Sequence, residues 1–366
     1  MKGTLTLTGL IMAGLILAGT TLGGSKTVRI LIYKDPGFQQ DWASSGPEGD
    51  YKTILVTNPN SQDLTDFQVK LVFDPSSDSF FDSCQGGSLL GIWTGNGSRQ
   101  VPFWVENWSA TQAIVWFKAP VLAASGTTRL RLYCSEDKAG TPDGESTFVF
   151  FDDFEDGDWS DKWQAVGIDG YWVKVLSVVG PYGQQEKALT MCGGGSSNSD
   201  WRGVKTIEVL PDHTVVEVWR KSTGYSAPWG AGCSSCGGWR YFALSGWKPN
   251  TSPCDRRTKQ AGFKYSQMSV GYCYRKYCGN PKCYGLNSGS FSGEWQDWKR
   301  VRFFVDGTHL IAEFGTDRIE TFNLDPSYAG DYQLLIGSVA WSPPGTYVSS
   351  VAVRKYADSE PVAVLQ

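Results

Sequence analysis

Residues 299–314 read KRVRFFVDGTHLIAEF, and the fold is decided there. Two β-branched and aromatic runs flank a tight turn at Asp306-Gly307, the short-range signature of an antiparallel hairpin. Upstream, HTVVEVWRKS (213–222) reads as another strand. Downstream, YQLLIGSVAW (332–341) and YVSSVAVRKY (347–356) close the same sheet.

The first half has the same character. YKTILVTNPNSQDLTDFQVKLVFD (51–74) gives two strands around a polar Asn/Pro/Ser turn. Phe67, Val69, Leu71 and Phe73 alternate with Gln68, Lys70 and Val72. VPFWVENW, QAIVWFKAP and TTRLRLYCSED supply further short strands at sandwich-like spacing. The whole chain, with 43 Gly, 16 Trp, 16 Tyr and 18 Phe in 366 residues, reads as all-β. The expected architecture is two tandem antiparallel β-sandwiches, 51–150 and 151–366. The second carries a Cys-rich insertion at 224–293, too long for a bare loop.

Composition excludes some functions. A net charge of −4 with no basic stripe gives no reason to expect nucleic acid. Two histidines, His213 and His309, argue against His-based triads and His-rich metal centres.

The N-terminus, MKGTLTLTGLIMAGLILAGTTLGGSK, carries no charge between Lys2 and Lys26. It is compatible with a cleaved secretory signal, an uncleaved anchor, or a pilin-like leader cut after Gly3. All three put the bulk of the chain outside the cytoplasm, secreted or at the cell surface. A strand at 27–33 follows, then a Gly/Pro/Ser-rich linker. That strand could serve its own domain or a neighbouring subunit's sheet edge.

Nine cysteines fit an exported disulfide framework. Cys84 and Cys134 are the natural pair in the first half. Cys233, Cys236, Cys254, Cys273, Cys278 and Cys283 staple the insertion, and Cys192 is left over, unpaired or intermolecular. Zinc at Cys233-x2-Cys236 with Cys278-x4-Cys283 is the competing reading. N-glycosylation acceptors occur at Asn96, Asn107 and Asn250.

Residues 148–163, FVFFDDFEDGDWSDKW, crowd six carboxylates among aromatics at mid-chain. An EF-hand count starting at Asp152 fails, because Phe154 and Trp163 fall on ligand positions. A structural calcium at Glu155, Asp156 or Asp158 is the remaining functional expectation; otherwise the stretch is a domain border, with 148–151 finishing the first sandwich. No cofactor is otherwise required.

At this point the chain resembles surface proteins of archaea and bacteria. They carry an uncharacterised N-terminal β-sandwich followed by a concanavalin-A-like jelly roll. The resemblance rests on the 51–74 stretch, on VPFWVENWSATQAIVWFKAPVLAASGTTRLRLYC (101–134), on FFDDFEDGDW, on GEWQDWKRVRFFVDGTHLIAEF (293–314) and on VSSVAVRKYADSEPVAV (348–364). It implies two sandwiches on a cell surface and brings no established activity, since jelly rolls serve lectins and glucanases alike.

Glucanases of this kind typically carry E-x-D-x-x-E or E-x-D-x-E on one strand. Here Glu217 stands alone in VVEVWRK, read as solvated or paired to Arg220, and EFGTDRIE has the wrong spacing. The expected function is therefore non-enzymatic adhesion or glycan recognition. Trp229, Trp239, Trp247, Tyr265, Tyr272, Tyr274 and Tyr277 of the insertion are the candidate glycan- or partner-binding platforms. A self-associating filament subunit is the alternative, and a glycoside hydrolase a weaker one.

Overall fold

The computed structural model describes residues 50–167, 173–191, 201–224, 241–249, 256–264, 267–275, 282–290, 297–322, 324–339 and 345–366. Every principal element among them is a β-strand, and every ladder is antiparallel. The strands make two sandwiches within one compact unit, residues 49–366.

In the first sandwich a four-stranded sheet runs in the order Val362–Leu365, Tyr51–Thr57, Thr127–Cys134, Leu90–Thr94. It faces a three-stranded sheet of Leu64–Phe73, Ala113–Leu122 and Phe103–Trp108. Their alternating inward residues form one core, with Ile54, Val56, Phe67, Val69, Leu71, Val115, Phe117, Leu130 and Leu132 all buried. Cys84 and Cys134 are disulfide-bonded at the margin of this core, as their isolation in the first half suggests.

The second sandwich has two larger sheets. One runs Asp317–Thr321, His309–Phe314, Lys299–Asp306, Thr214–Gly224, Gly345–Lys355, Gln185–Met191, Val173–Val179, with Phe150–Asp152 added against Gly345–Lys355. The other runs Lys282–Ser290, Gln267–Arg275, Arg256–Lys264, Tyr241–Trp247, Gln333–Val339, Trp201–Thr206, Trp163–Val166. Val216, Val218, Phe303, Val305, Phe242, Phe263, Leu334 and Ile336 are buried between them.

Three expectations are corrected. The 151–366 boundary fails at its end, because Val362–Leu365 leaves the second sandwich and pairs with Tyr51–Thr57 of the first. Ala363 and Leu365 pack on the first core, which explains the return. The border at mid-chain also moves. Phe150–Asp152 is a strand of the second sandwich, so residues 150 and 151 open it rather than finish the first. Finally, Asp306 pairs with His309, so the hairpin's two turn residues are Gly307 and Thr308, with Gly307 at φ +56°.

Alternation assigns the aromatics of the border. Phe150, Phe154 and Trp163 enter the second core. Phe148 and Phe151 turn the other way and cluster with Trp116 and Ala352, with Trp104 packed alongside. Asp152 is buried, accepting from Trp163 Nε1 at 2.6 Å and from the Phe154 amide at 2.9 Å. Burial pushes its carboxyl up from 3.8 to about 6. The folded state therefore holds this proton more tightly than the unfolded chain, so its contribution to stability is present below pH 3.8 and is lost as pH rises towards 6. Asp152→Asn is expected to flatten the stability profile between pH 4 and 7, removing a fall of about 2–3 kcal/mol in urea unfolding. An unchanged profile would show that Asp152 is not the group responsible.

Candidate functional site

The face of the second sandwich that bears Glu217 is not open. The three-stranded sheet of the first sandwich lies against it, and the junction is both polar and aromatic. Gln68 donates to the Thr147 carbonyl at 3.1 Å and accepts from the Lys355 amide at 3.0 Å. Glu217 is buried between two guanidinium groups, Arg354 Nε at 2.7 Å and Arg300. Burial opposes its charge, but Arg300 and Arg354 outweigh it and hold the carboxyl well below the usual range. The pairing with Arg220 expected from sequence is not formed; Arg220 is buried with its guanidinium over the Phe242 ring, 5.2 Å from the centroid.

The centre of the junction is Glu106, which sequence reasoning missed. Val105 pairs with Val115 and Asn107 with Ile114, so Glu106 is the extra residue of a β-bulge. A bulge re-aims its side chain, and this one sends a carboxylate into the junction. Glu106 is 8% exposed. Its Oε2 accepts from Trp116 Nε1 at 2.7 Å, and its Oε1 accepts from the Tyr182 hydroxyl at 2.6 Å and Trp219 Nε1 at 2.9 Å. Lys70 and Arg300 stand 3.7 Å away. Burial works against the charge, yet Arg300 and Lys70, with the hydrogen bonds, hold Glu106 below its ordinary value. Trp116 belongs to the first sandwich, while Tyr182 and Trp219 belong to the second, so one carboxylate ties the two together.

Above this carboxylate is a cleft of about 230 Å³. Trp104, Glu106, Asp153, Glu155, Tyr182 and Glu186 line it, together with Trp219, Ser349 and Ser350. Tyr182 and Trp219 meet edge to face with centroids 5.5 Å apart. A second bulge shapes the opposite wall. Trp219 pairs with Ser350 and Arg220 with Val348, leaving Ser349 as the extra residue, hydrogen-bonded to Glu186. Gly180 permits the approach of Glu186; a Cβ there would stand 2.1 Å from the Glu186 carboxyl carbon. Burial, with the neighbouring Glu155 and Asp153 charges, pushes Glu186 up from 4.5 to about 7. Burial also raises Asp153.

Several sequence-based candidates fall elsewhere. Trp247 is 7% exposed, with Lys205 Nζ over its ring, and offers no open face to a sugar. Tyr272 and Tyr274 lie in the strand Gln267–Arg275, whose backbone register sets Cys273 opposite Cys283. The expectations for residues 1–49, Cys192, Trp229, Cys233, Cys236, Trp239, Asn250, Cys254, Tyr265, Tyr277 and Cys278 lie outside the described residues.

Of the calcium candidates, Asp156 accepts from the Asp158 amide and Asp158 from the Ser160 amide and hydroxyl, each in a local exposed turn. Glu155 instead accepts from the Lys187 amide at 2.8 Å beside the cleft. Among the described residues, no group of three or more His, Cys, Asp or Glu side chains is arranged to hold a metal ion. Asn96 is exposed, its side-chain oxygen closing a turn with Ser98, whereas Asn107 donates its amide to the Gln112 carbonyl at 3.1 Å.

Comparison with known proteins bears on the border and the fold. A family model described as a domain of unknown function, DUF2341, matches residues 87–166. No curated protein matches the chain. Among solved structures, the chain is similar to a family-16 glycoside hydrolase of Bacteroides ovatus in complex with a mixed-linkage glucan product, at 11% identity and TM-score 0.37, covering 56% of this chain and 99% of that one. It is similar to a Bacillus subtilis protein of unknown function with a galectin-like fold, at 10% identity and TM-score 0.37, covering 57% and 96%. The Caenorhabditis elegans galectin LEC-6 follows at 12% identity and TM-score 0.26, covering 44% and 99%. Family-16 glycoside hydrolases are among these structures, so the expectation that the chain is not an enzyme does not stand. Identities this low concern the fold alone, and they assign no activity.

Proposed function

We propose that this protein engages glycans in the cleft between its two sandwiches. The observation that carries the reading is the cleft's lining. Partly exposed aromatic rings (Trp104, Tyr182, Trp219) stand beside carboxylates and serines in a concave site of sugar-ring size. Aromatic walls offer the apolar face of a sugar a flat partner, while carboxylates accept from its hydroxyls. The walls are held by the bulges and by Glu106, so the site is preorganised. The proposed setting is the cell exterior, for which the Cys84–Cys134 disulfide argues.

Trp219→Ala is expected to weaken retention on a glycan array or affinity gel about tenfold or more, with a far-ultraviolet spectrum unchanged. Undiminished binding by the folded variant would remove the cleft from consideration.

A second reading, glycoside hydrolysis at the same cleft, is favoured by one specific feature. Glu186 is pushed up to about 7 beside Asp153 and Glu155, and a carboxyl that keeps its proton near neutrality can act as a general acid. If sugar is released, Glu186→Gln is expected to reduce the rate at least about 100-fold while binding persists. Release that survives this substitution would refute the assignment.

A further inference from the structure

We infer that the cleft selects against acidic glycans and accepts neutral or amino-bearing ones. This rests on the glycan reading above and specifies its ligand. Four carboxylates line the cleft, Glu106, Asp153, Glu155 and Glu186, and among the described residues no lysine, arginine or histidine does. Glu106 is neutralised: three donors occupy its oxygens, and Arg300 and Lys70 stand beside it. The other three are not balanced in this way. Lys187 comes close, but its ammonium is directed to the Glu155 backbone carbonyl at 2.7 Å. Asp153 accepts from the Glu155 amide at 3.2 Å, a neutral donor, and Lys162, whose charge acts on it, is ion-paired with Glu145 at 2.6 Å. Among the described residues Glu186 receives Gln184, at 3.1 Å, and Ser349, both neutral, and its Oε1 is buried with no hydrogen-bond partner.

Ionised carboxylates accept hydrogen bonds and donate none. A ligand group that meets these carboxylates must therefore bring donors. Neutral sugars bring hydroxyls, and amino sugars bring an ammonium with three N–H groups. A uronate or sulfate brings a like charge into a site screened on one side by protein, which is the arrangement that rejects a partner rather than merely failing to hold it.

The test uses the full chain on an array holding neutral, amino-bearing, uronic and sulfated glycans at pH 8, above the value of about 7 to which burial pushes Glu186. Neutral or amino-bearing glycans are expected to bind, and their uronic counterparts at least about tenfold more weakly. A double substitution, Glu155→Gln with Glu186→Gln, is expected to narrow that gap. Acidic glycans bound as well as neutral ones, and lost on Trp219→Ala, would overturn this inference and leave the glycan reading standing. An array with no retained glycan would overturn both.

Discussion

Glu106→Ala is expected to destabilise the protein by about 3–5 kcal/mol. The substitution removes one carboxylate and strands three neutral donors and two cations, Lys70 and Arg300. Trp116 Nε1, Trp219 Nε1 and the Tyr182 hydroxyl lose their acceptor, and Arg300 loses one of its two counter-charges. Each stranded donor keeps its desolvation cost without its bond, which is why the loss exceeds that of an ordinary hydrogen bond. Glu106→Gln is expected to lose less, because an amide oxygen still accepts from one side. Urea unfolding followed by tryptophan fluorescence reads both variants. A Glu106→Ala variant within 1 kcal/mol of the parent would mean that the junction is held by Phe148, Phe151 and Trp116 packing alone.

Removing the disulfide, as Cys84→Ser with Cys134→Ser, is the second large effect. The bridge closes a loop with a sequence separation of 50. Chain-entropy arithmetic for that length gives about 4 kcal/mol. Both cysteines are buried against the first core, so serine adds the cost of a buried hydroxyl. Unfolding of the parent with and without reductant, compared with the double variant, separates the two contributions. A loss under 1 kcal/mol would show that the unfolded chain is not measurably constrained by the bridge.

These two sites differ in how far they could be seen in the sequence. The cysteine pair was visible because the first half holds no other cysteine. The strands were visible wherever one face is wet, as in Phe67–Val69–Leu71 against Gln68 and Lys70. Even there Gln68 proved buried, since the second sandwich covers that face. Glu106 was invisible: in VPFWVENW it reads as a surface residue of a strand. Two of its partners, Tyr182 and Trp219, arrive from 76 and 113 residues away. The bulge that aims it leaves no local mark, because any residue can be the extra one. The search for a hydrolase motif failed for the same reason. It looked along one strand, whereas the cleft collects Asp153, Glu155 and Glu186 from a turn and a neighbouring strand. Trp247 was misjudged because aromatic residues in a Gly-rich context look exposed, and the strand Tyr241–Trp247 is in fact central in its sheet.

The strand Val362–Leu365 gives the molecule a clock. It completes a four-stranded sheet in which its neighbour, Tyr51–Thr57, is made first, and Thr57 and Val362 are 305 positions apart (362 − 57). At about 5–20 residues per second of synthesis, Tyr51–Thr57 waits roughly 15–60 s for that neighbour. During this interval one edge of the first sheet is unpaired and can template another chain. The bridge from Cys84 to Cys134 can form long before, so the first sandwich can be chemically locked while still lacking a strand. That open edge lasts until Val362–Leu365 has been made.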